Sequence, residues 1–191
     1  MKSPAPPPPA PDLGEVLKDR REDCPPPGGL AGELGKRCPF ECAEEEAYLN
    51  LVRTADVLAR QFDALFKARG LSQPLYNCLR ILCGAEAAAA RCDGAPFHGL
   101  AIREIGDRLV AHAPDVTRLA DRLESLGLAE RRRCDADRRS VRVFPTAKGR
   151  QTLMELAEPV VALHRAQLGH LAPDRLAALS DLLADARAAA R

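Results

Sequence analysis

The sequence predicts a mainly α-helical fold carrying one small β-hairpin. Three observations lead there. The chain of 191 residues is 46% hydrophobic with no Trp, 2 Tyr and 5 Phe, an aliphatic composition that suits helices. From Glu44 onward, apolar residues recur mostly at steps of three and four. Two short segments, 129–133 and 141–144, depart from that period and flank a polar turn. The length suits one ordinary domain with a tail rather than two full-sized domains. Charged side chains are 29% of the chain, but 28 basic and 27 acidic residues leave a net charge of +1. A globally basic coat for nucleic acid is thereby excluded, and any basic patch must be local. No apolar run approaches the ~18 residues of a membrane span, so no membrane association is expected. Prolines rather than an apolar stretch follow Lys2, so no secretory signal is read and a cytoplasmic protein is expected.

The N-terminal segment, residues 1–43, is read as a disordered Pro-rich extension. Ten of the sixteen prolines fall at positions 4, 6–9, 11, 25–27 and 39. The run Pro6–Pro9 can form neither helix nor sheet, and a short charged helix is possible only between Asp12 and Asp23. Charge through Ala47 sums to six basic and ten acidic residues, or −4.

Order is expected over residues 44–188. Tyr48, Leu51, Val52, Ala55, Leu58, Ala59, Phe62, Leu65 and Phe66 mark a long amphipathic helix that Gly70 ends. Ser72 is placed to cap a second helix, with Pro74 in its first turn, running through Leu75, Leu79 and Leu82. The Ala-rich stretch from Gly84 to Gly94 is poorly patterned, and Pro96 to His98 reads as a short strand. Ile102, Ile105 and Leu109 mark a short helix, broken at Val110–Ala113. Pro114 suits the first position of the next helix, whose core face is Val116, Leu119, Ala120, Leu123 and Leu126, with Gly127 as its stop. Ala129–Arg133 and Val141–Phe144 read as the hairpin. Thr146 opens a helix through Leu153, Leu156, Val160, Leu163 and His164. A last helix carries Leu176, Leu179, Leu182, Leu183 and Ala186.

Helix, tight turn, helix and two-stranded hairpin, in that order, make a winged helix-turn-helix. A helix of about a dozen residues fits the major groove of B-DNA when a preceding helix pins its apolar side. Its outward residues must then be polar, and here they are Asp115, Thr117, Arg118, Asp121, Arg122 and Ser125. Thr117 with Asp121, and Arg118 with Arg122, lie one turn apart. In the hairpin and its exit, Arg131, Arg132, Arg133, Arg138, Arg139, Arg142, Lys148 and Arg150 stand against Glu130, Asp135 and Asp137. The local sum is +5 in a chain of net +1. Such a tip reaches phosphates and can put an arginine into the minor groove. Asp137 is spaced to hold Arg139 in one rotamer.

The stretch Asp115–Arg131, continuing through Asp137-Arg138-Arg139-Ser140-Val141-Arg142-Val143 to Thr146-Ala147-Lys148-Gly149-Arg150, resembles the MarR family of bacterial transcription regulators. The resemblance covers about three quarters of the chain, from Glu44 to Ala188. It implies a sequence-specific regulator of double-stranded DNA, a ligand-responsive repressor, with Arg139 as the minor-groove arginine and Asp137 as its support. Thr117 and Arg118 would face the major groove. It also implies a homodimer, held by the N- and C-terminal helices, on a pseudo-palindromic site. The apolar faces of the first and last two helices agree. A small-molecule effector would act in a cleft where Phe62, Tyr76, Arg80 and His164 are candidates. Departures are the long stretch Gly84–Phe97, Pro145, which is expected to shorten the second wing strand, and Asp115. Asp115 is read as a cap on its own helix in preference to an acceptor for a cytosine amino group.

Two alternatives compete. Seven cysteines without a Cys-x-x-Cys pair suggest neither a disulfide framework nor a metal site, but Cys78, Cys83 or the tail cysteines could make the regulator thiol-responsive. A winged-helix protein-interaction module without DNA binding should lack the wing arginine, and Arg139 is present. No cysteine sits in a nucleophile motif with a nearby His, so neither an enzyme nor a cofactor is expected.

Overall fold

The computed structural model describes residues 29–91, 96–111, 113, 115–133 and 141–189. Two units make up the chain, Met1–Val57 and Leu58–Arg191. In the first, α1 (Gly29–Glu33) lies within the segment expected to lack order, and its Leu30 and Ala31 are buried. An ion pair of 2.8 Å joins Glu33 to Arg53 on α2 (Ala43–Lys67). Glu44, Glu45 and Glu46 fill the first turn of α2, where carboxylates complement the positive end of the helix dipole. Tyr48, Leu51, Val52 and Val57 are left exposed on it.

The second unit holds the end of α2 and all later elements. These are α3 (Gln73–Arg91), α4 (Ile102–Gly106), α5 (Val116–Ser125), β1 (Ala129–Arg133), β2 (Val141–Pro145), α6 (Ala147–Leu168) and α7 (Pro173–Ala189). Packing centres on α3, which touches α4, α5, α6 and β2. Cys78, Leu79, Leu82, Ile105, Leu123, Val143 and Leu156 are fully buried there, and no polar or charged residue is buried among the described residues. At the α2 end of this core, Phe66 stacks on Tyr76 with ring centroids 4.3 Å apart. No helix among the described residues is long and apolar enough to cross a membrane.

Four expectations need correction. The Ala-rich stretch continues α3 to Arg91, because alanine stabilises a helix through backbone propensity without any apolar period. Pro96–His98 forms no strand; only Leu100 pairs, through reciprocal backbone bonds to Val143 of 3.0 and 2.8 Å. The recognition-type helix begins at Val116 rather than at Pro114, which lies outside the described residues. Pro145 does not shorten β2, which runs through it opposite Ala129. The ladder explains why. Val143 spends its N–H and C=O on Leu100, so Arg131↔Val143 is a non-hydrogen-bonded pair, and so is Ala129↔Pro145 two residues on. Pro145 therefore stands where β1 requires no donor.

Candidate nucleic-acid interface

The outward face of α5 is built from its own start signal and from the core beneath it. Asp115 is the N-cap: its Oδ1 accepts from the Arg118 N–H at 2.9 Å. The carboxylate is thus committed to its own helix end rather than free to accept from a cytosine amino group. Ala120 and Leu123 are buried and Leu119 half-buried, which fixes the rotation of the helix. Thr117, Arg118, Asp121, Arg122 and Ser125 are exposed. At the far end, Gly127 adopts φ +69°, and the Leu128 N–H closes back on the Leu123 carbonyl at 2.9 Å. Two side chains from the start of α6 finish this end. Thr146 donates its hydroxyl to the Gly127 carbonyl at 2.7 Å, and the Lys148 ammonium donates to the Leu126 carbonyl at 2.8 Å.

Thr146 also caps α6, accepting from the Gly149 N–H at 3.0 Å. Gly149 is buried, and a Cβ there would sit 2.1 Å from the Leu128 carbonyl oxygen. The Thr-x-x-Gly spacing therefore has a local physical cause: a cap three residues before the point where α6 meets the exit of α5.

The charge of the hairpin is distributed differently from the sequence sum. Arg131 turns onto α5, pairing with Asp121 and, at 3.7 Å, with Glu124. Arg132 pairs with Glu130 and lies 4.7 Å over the Phe144 ring. Arg142 donates to the Gly99 carbonyl at 3.2 Å and to Glu104 at 3.1 Å. Arg150 donates to Glu86 and to the Pro145 carbonyl, at 3.1 Å each. With Lys148, five of the eight counted cations hold the fold together. Arg133 is exposed, and Asp137, Arg138 and Arg139 lie outside the described residues. Counting charges could not find these pairs, since they join residues up to 64 positions apart.

Four residues singled out from the sequence converge elsewhere. Phe62, Tyr76, Arg80 and His164, with Val110 and Val160, line a cavity of about 170 Å3. The His164 ring lies 4.7 Å from Phe62. Burial pushes the Tyr76 phenol up, and the nearby Arg80 charge opposes that rise, so the hydroxyl is a neutral donor at ordinary pH. A second cavity, of about 480 Å3, lies among Glu86, Phe97, Glu130, Arg132, Phe144 and Arg150. Its four charged side chains are already matched in pairs.

The thiol-sensing alternative loses two of its candidates. Burial pushes Cys78 up to about 12 and Cys83 up to about 11, away from the reactive thiolate. Cys38 is half-buried and Cys42 exposed; Cys24 lies outside the described residues. No group of three or more metal-ligating side chains occurs among the described residues.

The sequence pattern of the MarR family matches residues 93–140. The chain is 28% identical over 148 residues to the HTH-type transcriptional regulator TtmR of Methylorubrum extorquens, covering 78% of this chain and 69% of that one. It is 32% identical over 95 residues to the transcriptional repressor MprA of Escherichia coli, spanning 50% of this chain and 48% of MprA. A crystal structure of a MarR transcription factor from Planctomyces limnophilus is 40% identical, with a TM-score of 0.55, over 76% of this chain and 98% of that one. Helix-turn-helix, hairpin wing and this extent of identity make the chain a member of the MarR family of winged-helix transcription regulators.

Proposed function

We propose that the protein is a sequence-specific DNA-binding repressor, acting as a homodimer on a pseudo-palindromic operator and released by a small molecule. The observation that carries the reading is α5. Thr117, Arg118 and Arg122 project from a helix whose opposite face is locked into the core beside a hairpin. In this reading Thr117 and Arg118 contact base edges, Arg122 assists, and Arg138 and Arg139, which fall between the two strands in sequence, reach the phosphates and the minor groove, with Asp137 supporting Arg139. Dimerisation is supported by α7, which buries no residue of its own and exposes Leu179 and Leu182. The repressor assignment draws on the similarity to MprA.

Effector control is supported by the cavity at Tyr76, Arg80 and His164. Val110, from the turn that follows α4, forms part of its wall. An occupant there would bias the placement of the helix-turn-helix against α3 and α6. The test begins with a duplex selected from a random pool by the wild-type protein. Arg139→Ala should weaken binding to it by about 1–3 kcal/mol at fixed salt. Unchanged affinity would remove the wing from the interface. Failure of the wild-type protein to select any duplex would overturn the DNA-binding reading as a whole.

A further inference from the structure

We infer that Arg131 is a positioning residue for DNA reading: it touches no base, but sets the rotation and height of α5 against the hairpin. The inference rests on the DNA-binding role proposed above. Because Arg131↔Val143 is a non-hydrogen-bonded pair, the N–H of Arg131 points away from β2. Glu124, in the last turn of α5, accepts it through Oε1 at 3.1 Å. The side chain of the same residue then extends along the helix. Its Nη1 binds the Asp121 carboxylate and lies 3.7 Å from Glu124 Oε2, and its Nη2 donates to the Thr117 carbonyl at 3.3 Å.

One residue of β1 thus grips α5 at 117, 121 and 124, a span of two turns on one side of the helix. The guanidinium suits this task because its planar fork offers several donors in fixed directions. Its side chain is 25% exposed, so these contacts are partly shielded from water and salt. The grip has a consequence for specificity. Asp121 lies on the outward face that the sequence predicts to meet the groove, but its carboxylate is committed to Arg131, leaving Thr117, Arg118 and Arg122 as the readers. The carbonyl that Arg131 holds belongs to Thr117, one of those readers. A clamp on the backbone of a reader fixes where its side chain enters the groove, and sub-ångström placement decides whether a base contact forms.

The test compares Arg131→Ala, Arg131→Lys and Asp121→Asn with wild type. Two measurements are made: binding to the wild-type-selected duplex and to random duplex over a range of salt, and amide hydrogen exchange without DNA. We expect Arg131→Ala to lower the preference for selected over random duplex by about ten-fold, the size of one lost base contact, with the slope of log affinity against log salt unchanged. Asp121→Asn should do the same, and the double variant no more, because both break one clamp. Arg131→Lys should fail to rescue, since an ammonium keeps the charge but not the fork. Without DNA, amides of α5 should exchange faster in each variant while those around Leu79 and Leu82 do not.

Equal weakening on both duplexes, with a salt slope smaller by about one, would make Arg131 a phosphate contact and overturn the inference. Rescue by Lys would do the same. Unchanged exchange in α5 would overturn the clamp even if the wild-type protein selected no duplex, so its failure is separable from that of the DNA-binding reading.

Discussion

Gly149 is a position where a methyl group meets backbone. A Cβ there would lie 2.1 Å from the Leu128 carbonyl oxygen, an atom that cannot rotate away. Gly149→Ala should therefore destabilise the fold by roughly 2–3 kcal/mol, read as a lower urea midpoint, since overpacking against backbone forces a shift of α6 or of the α5 exit. Burial pushes the Cys78 thiol up to about 12, from an ordinary value of 9.0. An unfolded chain therefore loses this proton first. The stabilising difference is complete below about pH 9 and is lost as pH rises toward about 12. Urea midpoints should fall over that window, and Cys78→Ala should flatten the fall. At pH 8 a thiol reagent should leave Cys78 unmodified until urea is added; prompt labelling of the native protein would contradict its burial.

At the scale of elements, α5 separates what the sequence makes legible from what it hides. Its apolar spacing, its acidic cap and its glycine stop are local, so Val116, Leu119, Ala120 and Leu123 could be assigned to the core face and Thr117 and Arg118 to the outside before any fold was known. The cap itself is testable. Asp115→Asn should keep the bond to the Arg118 N–H, whereas Asp115→Ala should cost about 1 kcal/mol of stability. If Asp115 read a cytosine instead, Asn would alter operator choice with no change in midpoint. Hidden from the sequence were the partners of Arg131, Arg142, Lys148 and Arg150. A charge sum has a sign but no geometry, and these side chains meet carboxylates and carbonyls that only the tertiary fold brings near. The reach of α3 to Arg91 was hidden for the opposite reason: alanines without an apolar period carry a strong helical preference that periodicity does not register.

Across the molecule, the described residues leave apolar side chains exposed on α7. In α7 the leucine pattern is clear in the sequence, yet no residue of the helix is buried, and Leu182 is 68% exposed. An exposed seam of this kind suits a second copy of the chain, whose two-fold axis would set the spacing of the two α5 helices on DNA. The N-terminal segment divides differently. Removal of residues 1–28 should leave the thermal midpoint unchanged, while removal of 1–40 also deletes the buried Leu30 and Ala31 and the Glu33 partner of Arg53, and should lower it.

The proposed dimer is best tested on α7, where no residue is buried and Leu179 and Leu182 are exposed. Leu179→Glu with Leu182→Glu places carboxylates in the seam and leaves the core around Leu79 and Leu123 untouched. Sedimentation should show the wild-type protein as a dimer and the double variant as a monomer of native helix content. Each monomer keeps one α5 and one hairpin, so it should still bind random duplex in a salt-dependent way. It should lose most of its preference for the selected duplex, because the second half-site is no longer delivered by the same particle and the effective concentration of the second contact is gone. A double variant that remains dimeric would move the interface away from α7. One that becomes monomeric yet keeps full operator preference would show that a single α5 and its hairpin suffice for recognition.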